Sequence, residues 1–135
     1  MDVVDIVGRV LFALVFWRNG YVHLRHRAGT VEFSKTFGTP SPELSVPGTG
    51  VLMLVCGTAV VLGVWPDLAA LLLAVFLLAA AFLAHRYWEE RDYGMRAAQE
   101  AQFLKNIALA GACLFMLAVF SEFGDDMPNL VGPLF

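Results

Sequence analysis

Charge is what this chain has least of. Asp, Glu, Lys and Arg make up only 16% of its 135 residues and hydrophobic residues 59%; an average soluble domain holds ~25% and ~45–50% respectively. The formal net charge is −3, so there is no basic excess to support nucleic-acid binding. Cysteine is also scarce. Cys56 and Cys113 stand alone inside apolar runs, with no CxxC spacing and no neighbouring His, which argues against a metal site and favours two small buried apolar side chains. A phosphate loop, a nucleophile–base signature and a zinc-protease motif are all missing. No catalytic residues and no metal site are therefore predicted. The opening Asp2-Val3-Val4-Asp5 is acidic rather than basic, and no small-residue cleavage site comes after the first apolar run. That run is expected to be a retained helix rather than a signal peptide.

What the chain has in abundance is apolar sequence in long stretches. Crossing ~30 Å of hydrocarbon takes ~20 mostly apolar helical residues. Stretches of that kind fall at about 3–24, 47–64, 67–88 and 101–123, with a polar loop at 25–45 and a Pro- and Gly-containing tail at 124–135. The expected fold is all-α: one integral membrane four-helix bundle over residues 1–135. Pro47 suits the start of the second helix, and Gly50, Gly57 and Gly63 are small enough to let a neighbouring helix come close. Within the loop, residues 30–37 alternate apolar and polar in a way that fits either a short interfacial helix or a strand-like segment.

The first stretch carries an unusual load for a membrane helix: Arg9, Arg18, Asn19 and His23. Charges in a spanning segment are costly and normally face a bundle interior, a cavity or a partner. At 100° per residue, Arg9, Phe16, Gly20 and His23 share one stripe, and Arg18 lies opposite. The Arg9 stripe is expected to face inwards, with Asp5, Asp67 and Glu122 as available counter-charges, and Arg9 and Glu122 are predicted to be buried structural charges. Arg18 then reaches the headgroups or meets another subunit.

With four spans both termini lie on one side. Arg25, Arg27, Lys35, Arg86, Arg91, Arg96 and Lys105 gather at the other, so the positive-inside rule predicts outside termini and cytoplasmic 25–45 and 89–100 loops. Arg18, Asn19 and His23 then share their depth with His85, Trp88, Gln102 and Asn106. These seven residues form the candidate binding or docking cluster. Cys56 and Cys113 fall at matching depth near the middle of the membrane.

Several motifs resemble the DoxX-type membrane proteins: Gly8-Arg9-Val10-Leu11 with Phe16 and Gly20, His85-Arg86-Tyr87-Trp88, and Gln102-Phe103-Leu104-Lys105-Asn106 leading to Gly111. With the four-helix pattern the resemblance spans nearly the whole chain. One departure is the start of the second helix, where many relatives carry a Glu and this chain reads Pro47-Gly48-Thr49-Gly50. The family takes its name from a small subunit linked to a thiosulfate:quinone oxidoreductase. The resemblance therefore implies a bacterial inner-membrane protein, non-catalytic by itself, that serves as an accessory subunit of a larger respiratory or redox complex. A quinone is the candidate cofactor, with the seven-residue cluster lining an apolar slot; haem held by His23 and His85 is not expected. The alternatives are a quinone-binding oxidoreductase subunit and an oligomeric channel or transporter. Apart from the lipid bilayer and such a complex, no partner is implied, and nucleic acid is excluded.

Overall fold

Helices form along the apolar runs, but their ends fall where proline, glycine and capping groups place them. The computed structural model describes residues 2–135. Among these there are five α-helices and no strand: α1 (Asp2–Arg25), α2 (Arg27–Thr36), α3 (Pro42–Leu62), α4 (Pro66–Ala84) and α5 (Tyr93–Phe123). Short 3-10 turns lie at Tyr87–Glu89 and Gly124–Asp126. Helices α3, α4 and α5 are long and apolar enough to cross a membrane; α1 matches them in length but not in apolarity.

Three helix boundaries depart from expectation, the starts of α3 and α5 and the end of α4. Within the 25–45 segment the helical one of the two open readings holds: 27–36 forms α2. Thr30, Phe33, Ser34 and Phe37 recur at helical spacing and face the bundle. Pro47 does not start the second long helix but sits inside it, since Pro42 occupies the first turn. An internal proline removes the N–H that would bond the carbonyl four residues back. Here that carbonyl belongs to Glu43, and the Arg27 guanidinium donates to it instead at 2.9 Å. The earlier start also puts an acid, Glu43, in the first turn of α3, where Pro47–Gly50 has none. Finally, α5 begins at Tyr93 rather than near 101. Asp92 caps it by accepting from the Met95 N–H at 2.8 Å, so the mixed-charge run beyond it is helical. Helix α4 gives way after Ala84 to the turn at Tyr87–Glu89, short of the expected Trp88.

Packing runs α1 against α3, α3 against α4, and α4 against α5. The α1–α3 contact is close because both sides are glycine where they meet. A Cβ on Gly20 would lie 2.9 Å from the Gly50 carbonyl oxygen, and one on Gly50 would lie 2.9 Å from the His23 Cβ. Trp17 adds an indole N–H bond to the Thr58 hydroxyl at 3.1 Å. The buried core comprises Phe16, Met53, Cys56, Val60, Leu73, Leu77, Cys113 and Phe120 with small residues between them. Both cysteines are free thiols in that core.

At the end of the bundle away from α2, the tail folds back as a strap. The Leu130 and Val131 N–H groups donate to the Leu62 and Gly63 carbonyls at 3.0 and 3.1 Å, and the Trp65 N–H donates to Gly132 at 3.1 Å. Asp67, fully buried, accepts from the Leu134 and Phe135 N–H groups at 2.8–2.9 Å. It anchors the strap rather than pairing with Arg9.

Arg9 is 3% exposed. Its Nε donates to Asp5 Oδ1 at 3.0 Å, and Nη2 lies 2.8 Å from Asp5 Oδ2. Nη1 donates to Asn129 Oδ1 at 2.7 Å and, more weakly at 3.4 Å, to the Val60 and Pro128 carbonyls. The guanidinium carbon also sits 4.8 Å from the centre of the Phe120 ring. Glu122, expected to be buried beside it, is exposed on the outer face of α5. A carboxylate there has no need of burial, because Asp5, one turn away from Arg9 on the same helix, already supplies the counter-charge.

Removing one partner from a buried charge cluster costs about 3–5 kcal/mol. Arg9→Leu should sit near the lower figure, because Asp5 keeps some water. It should show as a lower denaturation midpoint in mild detergent and as faster proteolysis of residues 127–135. Glu122→Gln should leave both measurements unchanged. Equal effects from the two variants would remove the assignment of Arg9 as the structural charge.

Candidate functional site

At the α2 end the helices leave a gap that the core does not fill. Ala79, Ala80 and Ala84 give α4 a thin wall there, and α2 lies across the opening with Thr30, Phe33, Ser34 and Phe37 turned towards it. The result is a cavity of about 410 Å³, walled mostly by apolar atoms from Val15, Phe16, Met53, Phe76, Leu77, Leu83 and Leu109. Small-molecule sites typically occupy ~300–1,000 Å³ and combine such walls with a few polar groups.

Those polar groups are here, and several have nothing to bond. Asn106 is 6% exposed, lines the cavity, and its carboxamide makes no hydrogen bond among the described residues. Asn19, half-buried on α1, lines the cavity in the same state. The Ser45 Oγ is buried without a partner. Only the Ser45 Oγ of these is sealed off, and a buried polar group left unpaired costs ~1–3 kcal/mol; the Asn19 and Asn106 carboxamides border the open cavity. Native proteins pair most such groups.

Two histidines complete the set. His23 Nδ1 lies 3.1 Å from both the Val46 carbonyl and the Thr49 hydroxyl oxygen. The Thr49 hydroxyl already donates to the Ser45 carbonyl at 2.7 Å. The Val46 carbonyl can only accept, so Nδ1 carries the hydrogen. His85 Nδ1 lies 2.8 Å from Gln99 Oε1, with Gln99 itself 6% exposed on the early turns of α5. In both rings Nε2 has no partner among the described residues.

Of the seven residues expected to converge, four do: Asn19, His23, His85 and Asn106 line the cavity. Three do not. Arg18 is exposed on the opposite face of α1, beside exposed Leu11, Leu14 and Tyr21. Trp88 is part of an aromatic cluster with Tyr87 and Phe103, ring centres 5.3 and 5.7 Å away. Gln102 is exposed and bonds Lys105. The reason is helix phase. Gln102 precedes Asn106 by one turn and drifts off its face, and the break after Ala84 turns Trp88 away from His85.

Sequence reasoning misses Ser45, Thr49, Gln99 and the place of α2 across the cavity. The 30, 33, 34, 37 spacing is the available signal for the last of these. Gln99 is hidden in a mixed-charge run that reads as a loop. Lys105 also reaches the cavity rim. Cys56 and Cys113 lie one helical turn beyond the wall residues Met53 and Leu109, within the core.

Asn106→Leu should be tolerated or should raise the thermal midpoint in detergent, because it removes an unpaired amide from an apolar wall. A fall of several degrees would mean that the carboxamide has a structural partner after all.

The first part of the chain, residues 4–86, matches the model of the family described as DoxX. This covers α1 to α4 and includes Asn19, His23, Ser45 and His85. Inner membrane protein YphA of Escherichia coli (strain K12) is 26% identical over 111 residues, 82% of this chain and 79% of that protein. Inner membrane protein YqjF of the same organism is 28% identical over 115 residues, 85% of this chain and 82% of that protein. No solved structure matches the chain. With its helical fold, its three membrane-length helices and a family match over more than half of its residues, this chain belongs to the DoxX family of membrane proteins.

Proposed function

We propose that this protein is a small subunit of a quinone-linked redox assembly in the bacterial inner membrane, and that it holds the head of a lipid-soluble quinone in the cavity beneath α2. One observation carries the reading: an apolar space of about 410 Å³ ends in polar side chains that the fold leaves unpaired. A quinone needs this combination, apolar walls for ring and tail and hydrogen-bonding groups for the two ring oxygens. Asn19 and Asn106 carry N–H donors suited to carbonyl oxygens. The oxidoreductase chemistry belongs to the partner, and this chain contributes binding and placement.

In this reading four helices cross the bilayer. Helix α1 joins the other three because it packs along α3 and turns Arg9, Phe16 and Gly20 inwards. The termini face outwards and α2 faces the cytoplasm. Arg25, Arg27, Lys35, Arg86, Arg91 and Arg96 sit at the α2 end, whereas Asp2, Asp5, Asp67, Glu122, Asp125 and Asp126 accompany Arg9 at the other. Arg18 marks the docking face. An exposed guanidinium among exposed Leu11, Leu14 and Tyr21 is costly against lipid and is better satisfied by a partner helix or its headgroup-level acids. A channel through one chain has no room, since Phe16, Met53, Leu73, Leu77 and Phe120 close the core behind the cavity.

Mild-detergent purification of the full chain should recover bound quinone in the organic extract together with partner subunits. Arg18→Leu should lose the partners and keep the fold. Finding neither quinone nor partners with the wild-type protein would overturn the proposal. For the topology, Asp126→Cys should react with an impermeant maleimide added outside the cell membrane; labelling only from the cytoplasmic side would reverse the assignment.

A further inference from the structure

We infer that the cavity selects the reduced, dihydroxy form of its ring-bearing ligand over the oxidised, dicarbonyl form. This rests on the quinone-site reading above and adds to it a direction. Hydrogen-bond sense sets that direction. A quinone ring offers two acceptors; a hydroquinone ring offers two O–H donors. Which form binds better depends on whether the site presents donors or lone pairs.

Asn19, Asn106 and Ser45 can do either, because a carboxamide or hydroxyl both gives and accepts. They do not decide. The imidazoles do. His23 Nδ1 must donate, because the Val46 carbonyl 3.1 Å away can only accept. With the Gln99 carboxamide oriented as it is, Oε1 towards the ring at 2.8 Å, His85 Nδ1 donates as well; His23 is the ring whose sense a backbone carbonyl sets. The neutral rings then keep a bare lone pair at Nε2, with no partner among the described residues. Among the described residues no carboxylate lines the cavity, and Lys105 is at its rim. Nothing there balances a second proton on either ring. Lys105 is the one fixed donor, and its ammonium is exposed and already bonded to Gln102. The groups of fixed sense that remain free are therefore acceptors, and they match ring hydroxyls rather than ring carbonyls.

A single hydrogen bond of ordinary strength is worth about tenfold in affinity. The full-length protein in phosphatidylcholine nanodiscs, kept anaerobic, should bind durohydroquinone about tenfold tighter than duroquinone. The dimethyl ether of the hydroquinone, which has no donor, should lose that advantage. Tenfold tighter binding of the reduced form raises the two-electron midpoint potential of the bound probe by about 30 mV, which gives a second readout. His23→Phe and, independently, His85→Phe should bring the two forms closer in affinity, so that a folding defect in one variant leaves the other as the test. Duroquinone binding as tightly as durohydroquinone to the wild-type protein would overturn this inference and leave the quinone site standing. No binding of either form would remove the site itself.

Discussion

The buried guanidinium of Arg9 fixes the orientation on which most of this bundle depends. It is held by Asp5 on its own helix, Val60 at the end of α3 and Asn129 in the tail, and it faces the Phe120 ring of α5. Those contacts set the rotation of α1 about its axis. Once Arg9 points inwards, Phe16, Gly20 and His23 must do the same, because they lie 7, 11 and 14 residues on and a helix repeats every 3.6. The charge at one end thus aims the imidazole at the other, about 21 Å away along the axis at 1.5 Å per residue. The glycine contact between Gly20 and Gly50 then brings α1 close enough to α3 for His23 to reach Val46 and Thr49.

The two ends of the bundle are built on opposite plans. At the strap end the polar groups are spent on each other: Asp67 on two backbone N–H groups, Asn129 on Arg9 and Gly124, Gly63 on the tail. At the α2 end, Asn106, Asn19 and the Ser45 hydroxyl are left unspent around an open space. Proteins tend to break the rule of satisfied buried polar groups at sites that serve something other than stability. The saturated end supplies the rigidity that lets the other remain unsaturated.

How much of this is legible in the residues alone depends on the range of the interaction. The four apolar runs and the inward Arg9 stripe come from composition and helical phase, which are local. So do Asn19, His23, His85 and Asn106 at one depth. The ends of the helices are less legible. Pro47 reads as a helix start, and only Arg27, 20 residues away, fills the carbonyl that an internal proline leaves open. The tail reads as irregular because it carries no periodic pattern, yet Asp67 and Gly63 order it through backbone bonds that no sequence pattern encodes. A buried Glu122 is suggested by depth alone. Depth does not fix azimuth, and an acid on the outer face of α5 has no reason to turn in when Asp5 already serves Arg9. Gln102 misses the cavity by its azimuth on α5, and Trp88 because the chain breaks from α4 after Ala84.

Helix α2 also governs how the cavity fills. It is tied to α3 by Arg27 on the Glu43 carbonyl and by Lys35 against Glu43, at 2.9 and 3.1 Å, and both ties are exposed. Exposed ion pairs hold weakly, typically ~0–1 kcal/mol. The cavity is therefore covered by a short helix whose side-chain ties to α3 are exposed. If it holds the lipid-soluble quinone proposed above, the occupant need not cross water to reach it. It would approach sideways through the leaflet, and occupancy would track the mole fraction of the ligand in the lipid. A cell that changed its pool of such carriers would then load or empty this protein without any change in the surrounding solution.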